Sequence, residues 1–234
     1  MKKIMVLTSG SGALIDNCLV SDSFRSSVCL ILTDRKCDAE EVAKRNNIIS
    51  VRVEEKDKLK FNQQILKIAI TNNIDYIFSY SFLRILNSVV IDKYRDRIFN
   101  SHFSILPAFK GYYDTREKNR EINARSIFER TIDFGSRYTG NTIHLLTEEI
   151  DAGTPVIVSS LVIPYNIDIK VLRHQLFIQE CKCILQLVYW LNESRIKVIN
   201  NKQVLIDGAN FSQLDFSPNL DSQKVIDFSI NYPY

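Results

Sequence analysis

The 234-residue chain has three histidines, and two of them stand in company that could do chemistry. His102 lies two residues after Asn100 and two before Ser104, at the end of an apolar run and just ahead of Leu106-Pro107. Alternation along an extended segment puts Asn100, His102 and Ser104 on one face. An amide donor and an imidazole projecting from one strand end can together stabilise a developing oxyanion and move a proton. The plainer alternative is a structural histidine satisfied by hydrogen bonds. Asp151 follows Glu148 and Glu149 in a loop between two apolar runs, where an acid is also an ordinary solvated turn residue. His144, in the run before that loop, reads as a core histidine, and His174 as surface or hairpin packing.

A second constellation is Gly10-Ser11-Gly12, which follows Ser9 at the end of the first apolar run. Placed between a strand and a helix, its backbone amides could hold a phosphate. A full GxGxxG is absent because position 15 is Ile, so a plain tight turn explains the glycines equally well. The cysteines Cys18, Cys29, Cys37, Cys181 and Cys183 form an odd set without CxxC spacing. Neither a zinc site nor a disulfide framework is expected, and no metal is called for.

These residues need elements to position them. Apolar runs at Ile4–Leu7, Val28–Leu32, Ile49–Val53 and Tyr76–Phe78 read as buried strands, separated by helix-period segments such as the one carrying Phe61, Ile65, Leu66, Ile68 and Ala69. That alternation predicts βαβ units: an α/β fold with a Rossmann-like, mostly parallel but mixed sheet, helices on both faces, and ligands at the carboxyl ends of the strands. A short strand at Arg97–Asn100 follows. Further expectations are a helix over Ile122–Phe134, strands at Thr142–Leu146 and Val156–Ile163, and one long helix from Ile167 to Asn192 with Asp168 at its start. Ile196–Ile199 and Val204–Ile206 flank a turn and predict a small β-hairpin. The expected division is a catalytic α/β domain over 1–193 and a hairpin with a tail over 194–234.

Composition excludes several classes. Hydrophobic residues make up 45% of the chain and charged residues 24%, enough for a sizeable core. With 30 basic against 27 acidic residues, the net charge of +3 gives no case for nucleic acid as a partner. The first apolar run ends at Ser9, far short of a signal-peptide core or a membrane span, so the expectation is a cytoplasmic chain that does not enter a membrane.

The runs Asn100-Ser101-His102-Phe103-Ser104-Ile105-Leu106-Pro107-Ala108-Phe109-Lys110-Gly111 and Gly140-Asn141-Thr142-Ile143-His144, continuing to Thr147-Glu148-Glu149-Ile150-Asp151-Ala152-Gly153, resemble the folate-dependent formyltransferase family. The resemblance covers most of residues 1–193. It implies that Asn100, His102 and Asp151 are the catalytic trio, with a charged His102 held by Asp151, and that His144 and Ser104 support them from behind. It implies 10-formyltetrahydrofolate as the cosubstrate, gripped by Phe82, Leu83, Arg84, Ile85 and Leu86 and by Thr147, Glu148, Glu149 and Ile150. A homodimer is also expected.

The resemblance also implies where the acceptor lies, and there this sequence departs from pattern. Family members acting on glycinamide ribonucleotide usually carry Gly-Ser-Asn after the first strand to hold its phosphate, whereas this chain reads Gly12-Ala13-Leu14. The stretch between Gly111 and Gly140 is longer than in those enzymes. Glu180 matches an acid that touches the ribonucleotide, but the position three before it is Phe177 in place of a polar residue. The candidate acceptor residues are therefore Gly10, Ser11, Gly12, Tyr112, Tyr113 and Glu180, the tyrosines offering rings for stacking. The departures favour a nucleotide-linked amino-sugar as acceptor, such as dTDP-4-amino-4,6-dideoxyglucose, over phosphoribosylglycinamide. A non-catalytic binding module of the same fold is the alternative from another class.

Overall fold

The computed structural model describes residues 1–111, 126–199, 203–208 and 216–217. In chain order the elements are β1 (Ile4–Thr8), α1 (Ala13–Cys18), α2 (Asp22–Ser27), β2 (Val28–Thr33), α3 (Ala39–Arg45), β3 (Ile49–Arg52), α4 (Lys58–Thr71), β4 (Tyr76–Ser79), α5 (Ser88–Ile91) and β5 (Ile98–His102). They continue with α6 (Ile127–Asp133), β6 (Tyr138–Leu145), β7 (Pro155–Val162), α7 (Ile169–Asn192), β8 (Ile196–Ile199), β9 (Gln203–Ile206) and β10 (Phe216–Ser217).

An eight-stranded sheet runs β10-β7-β6-β5-β4-β1-β2-β3 among the described residues, and β8 and β9 pair separately as the expected hairpin. The pairings from β3 through to β5 are parallel, and those from β5 through β6 and β7 to β10 are antiparallel. Mixed topology follows from the connections: helical crossovers join the first strands, while short returns join β6 to β7. Period two along β1 sends Ile4 and Val6 into a core under α1, α2, α3 and α7, and Met5 and Leu7 into a second core under α4 and α5. Burial on both faces explains why these strands read as continuous apolar runs.

Caps fix the helix starts. The Asp57 carboxylate accepts from the Lys60 N–H at the start of α4, and Ser126 with Glu129 forms a capping box on α6. Asp168 does the same for α7 through the Lys170 N–H, as its position predicted. Trp190, fully buried, anchors the far end of that helix. Three elements differ from expectation, β6 first, because it begins at Tyr138 where Thr142 was expected. β5 runs on to His102 because Ser101 and His102 keep their ladder pairing with Ile143 and Thr142 although their side chains are polar. β10 was not expected, since two residues carry no periodic signal. The start of the helix expected over Ile122–Phe134, Tyr112 and Tyr113, and the hairpin turn at 200–202 lie outside the described residues.

Candidate active site

The chain reverses its direction across the sheet between β1 and β4, and the site opens beyond the carboxyl ends of β4 and β5, as the alternation predicted. Two hydrogen bonds close the floor. The Ser9 N–H donates to the Ser81 carbonyl (3.1 Å), and the Leu83 N–H donates to Ser9 Oγ (2.9 Å). A cleft of about 600 Å³ follows, lined by Tyr80–Leu83 from the β4 end, Asn100–Phe103 from β5, Ile127 and Asp151.

Asn100, His102 and Asp151 meet in this cleft. Asn100 pairs directly with His144 across β5 and β6, which sets its amide nitrogen 3.1 Å from His144 Nε2. His144 Nδ1 lies 2.9 Å from the Leu145 carbonyl, so that nitrogen carries a proton and donates, and in the neutral ring Nε2 accepts from Asn100. The amide is thereby oriented with its nitrogen inward, its second N–H reaching Asp151 Oδ1 at 3.5 Å. His102 Nδ1 lies 3.4 Å from Asp151 Oδ2, and its Nε2 lies 3.2 Å from the Ala108 carbonyl.

Asp151 is not a solvated turn residue: its side chain is 7% exposed. Its backbone sits at φ 51°, a left-handed conformation that aspartate tolerates better than most residues. The Gly111 N–H donates to Asp151 Oδ2 (2.9 Å), and Lys110 pairs with Glu149 beside it. Gly153 lets the loop close. A Cβ there would stand 1.6 Å from the Leu145 carbonyl oxygen.

Electrostatics distinguish the two groups. Burial would push the Asp151 carboxyl up, but His144 and His102, which act on it when their rings are protonated, and the Gly111 N–H hold it below its ordinary value. Burial pulls the His102 ring below the usual histidine value, and the Asp151 charge and Ala108 carbonyl oppose this without overcoming it. Burial therefore opposes the charged His102 that the family resemblance implied, while the carboxylate beside the ring favours it. Desolvation of the ring outweighs its carboxylate neighbour. The two ring nitrogens face two oxygens, so the neutral ring donates to one of them and the charged ring to both.

The other expected residues divide. Ser104 is buried, and its carbonyl accepts from Thr142 Oγ1 (2.7 Å), which in turn accepts from the Leu106 N–H (3.1 Å). Thr142 thus pins the turn after His102. Phe82 and Leu83 line the cleft, while Leu86 packs in the core. Ile85 is exposed, and the Arg84 guanidinium is engaged over the Phe61 ring with Nη1 donating to the Glu55 carbonyl (2.9 Å). Thr147 and Glu148 line a neighbouring cleft of about 790 Å³ with Leu145, Leu146, Ser88 and Ile91. Glu149 is tied to Lys110 and Ile150 is exposed. Gly12, at φ 71°, has a packing reason of its own, because a Cβ there would meet the Ala39 backbone at 2.9 Å. Gly10 and Ser11 lie beside it, with Ser11 exposed. Glu180 is fully buried behind Ser101.

The sequence reading missed the Gly111 N–H, Tyr80, Ser81, Phe103 and Ile127. Phe103 and Gly111 stood inside the run that carried the resemblance; Tyr80, Ser81 and Ile127 had no signal, because cleft walls read as core or as an ordinary strand end. Among the described residues, no three His, Cys, Asp or Glu side chains are grouped to hold a metal, and no helix is long and apolar enough to cross a membrane.

Comparison with known proteins points to one family. The formyl transferase family model matches residues 2–188. The chain is similar to the chloroplastic phosphoribosylglycinamide formyltransferase of Arabidopsis thaliana, 28% identical over 222 residues that cover 86% of this chain and 72% of that protein. It is similar also to the phosphoribosylglycinamide formyltransferase of Haemophilus influenzae, 26% identical over 210 residues covering 86% and 92%. Among solved structures, the Coxiella burnetii phosphoribosylglycinamide formyltransferase superposes with a TM-score of 0.76 at 21% identity, covering 88% of this chain and 94% of that one, which shows the shared fold. With the family model spanning β1 to α7 and hence every residue that lines the trio cleft, the chain belongs to the formyl transferase family and is a formyl-transferring enzyme.

Proposed function

We propose that this enzyme moves a formyl group from 10-formyltetrahydrofolate to a primary amine on a nucleotide-like acceptor, and that Asn100, His102 and Asp151 carry the transfer. The observation that supports this most is their convergence: Asp151 lies 3.4 Å from His102 and 3.5 Å from Asn100 at one wall of an open cleft. A neutral acceptor amine attacks the formyl carbon, the formyl oxygen gains negative charge, and the bond from the carbon to the folate nitrogen breaks. The Asn100 N–H that reaches Asp151 at 3.5 Å is held weakly enough to turn to that oxygen. His102, neutral at the start, accepts the proton that the attacking nitrogen sheds. It then stands as an imidazolium beside Asp151, where the carboxylate stabilises it, and gives the proton to the departing folate nitrogen, which returns the ring to its neutral state. His144 keeps the amide facing the right way. We assign the folate ring to the cleft between α5 and Leu145–Glu148, where Ile91, Leu145 and Leu146 can pack on a flat heterocycle and the charged Asp92, Arg95 and Asp96 stand near its polar edge.

Phosphoribosylglycinamide is the acceptor that the named relatives support, ahead of the nucleotide-linked amino-sugar that the sequence departures favoured. One observation keeps the amino-sugar as a second reading. Leu14 is buried in the apolar core and Ala13 packs against it, so neither position offers a side-chain donor to a phosphate. A lost charged hydrogen bond costs about 1.5–3 kcal/mol, and two would weaken a ribonucleotide by roughly two orders of magnitude or more. Purified enzyme with 10-formyltetrahydrofolate, offered phosphoribosylglycinamide and a panel of amino-sugar nucleotides, tests both readings through tetrahydrofolate release. Turnover with phosphoribosylglycinamide alone supports the first reading, turnover with an amino-sugar alone the second, and no release with any amine removes the proposal.

A further inference from the structure

The end of β5 holds three consecutive polar side chains. Asn100 and His102 face the trio network, and period two turns Ser101 the other way, toward α7. There Ser101 hydrogen bonds to Glu180 Oε1. Glu180 is 0% exposed, and its Oε2 has no hydrogen-bond partner among the described residues. A carboxylate is poorly tolerated in such a place, where desolvation has a large cost and a single hydroxyl answers only one oxygen. Burial accordingly pushes the Glu180 carboxyl up to about 8, with the Ser101 hydrogen bond opposing in part, so the acid is neutral near pH 7. A neutral acid and a hydroxyl can each donate or accept, and the pair closes in either sense. The helix behind it is rigid: α7 runs for 24 residues and buries Leu176, Phe177, Ile184 and Trp190 against the core.

We propose that Glu180 is a positioning residue for formyl transfer, holding the end of β5 from behind through Ser101 so that Asn100 and His102 keep their geometry, and not meeting the acceptor itself. This rests on the formyl-transfer reading of the cleft. It differs from the direct acceptor contact that the family resemblance implied, because here the carboxyl has no surface on the cleft and its bonded oxygen is taken by Ser101.

The test compares wild type with Glu180→Gln, Glu180→Ala, Ser101→Ala and the double variant Ser101→Ala/Glu180→Ala, reading kcat, acceptor KM and thermal unfolding. Glu180→Ala should lower kcat by roughly ten- to a hundred-fold, the scale of a small displacement of reacting groups, with acceptor KM within about threefold of wild type. Glu180→Gln, which keeps the shape and polarity of a neutral acid, should recover most of that kcat. The double variant should lose no more than Glu180→Ala alone. A Glu180→Gln enzyme whose acceptor KM rises about tenfold or more at unchanged kcat would overturn the proposal, since that is the mark of a charge touching the acceptor. If Glu180→Ala does not fold, Glu180→Gln and Ser101→Ala decide on the same kinetic split. If wild type transfers formyl to no amine, the functional reading fails on its own. The pair is then judged by unfolding: Tm losses in the double variant smaller than the sum of the singles support it, and additive losses overturn it.

Discussion

At the residue scale, the site is governed by how burial shifts charge. Glu180 titrates near 8 in the folded protein, well above its value in an unfolded chain. The folded state therefore binds this proton more tightly, and the stability that it contributes is full below about 4.5, falls as pH rises toward 8, and is level above that. Glu180→Gln should remove this decline. Urea unfolding of both proteins from pH 5 to 9 should show the wild type losing on the order of 4 kcal/mol more than the variant across that range, and parallel curves would refute the assignment. For His102 the direction is the opposite one, downward, with Asp151 pulling back. Asp151→Asn should thus lower the His102 pKa further, as followed by the ring resonances in an NMR titration. A rise would mean that the carboxylate is not the partner of the ring. These residue types were legible in the sequence, because an Asn-x-His spacing and a late Asp are local facts. Their charge states were not, because desolvation depends on what the fold packs around them.

At the scale of elements, the strands were readable where both faces are buried and unreadable where pairing continues past the apolar run. β5 is the instructive case. Its last two residues are polar, yet the ladder to β6 holds them, and the Asn100–His144 pairing that organises the site exists only in that register. The turn after β5 depends on Thr142, whose hydroxyl bridges the Ser104 carbonyl and the Leu106 N–H. Thr142→Val keeps the shape and removes both bonds, so it should cost about 1–3 kcal/mol of stability and lower kcat more than it changes acceptor KM. Chemical denaturation and steady-state kinetics check this, and an unchanged kcat would mean that the turn does not position His102. The Asp151 loop depends on Gly153 in the same way. Gly153→Ala places a methyl into the Leu145 carbonyl, so the loop must open and turnover should nearly vanish while the rest of the fold remains.

At the scale of the whole molecule, the alternation of apolar runs with helix-period segments foretold the parallel half of the sheet and the edge on which the site opens. Convergence of Asn100 and Asp151 was not contained in any local pattern; it arises because β6 returns antiparallel beside β5 and its following loop folds back over the strand end. The acceptor was the least legible feature, since the candidates for meeting it include Tyr112 and Tyr113, which lie outside the described residues. The central claim is that this cleft transfers a formyl group through His102, and turnover of His102→Asn in the presence of 10-formyltetrahydrofolate and the acceptor that wild type uses tests it most directly. The account predicts a kcat about 100- to 1,000-fold below wild type with folate affinity nearly unchanged, as expected for a group whose work is done in the transition state. A variant that turns over at the wild-type rate would contradict it.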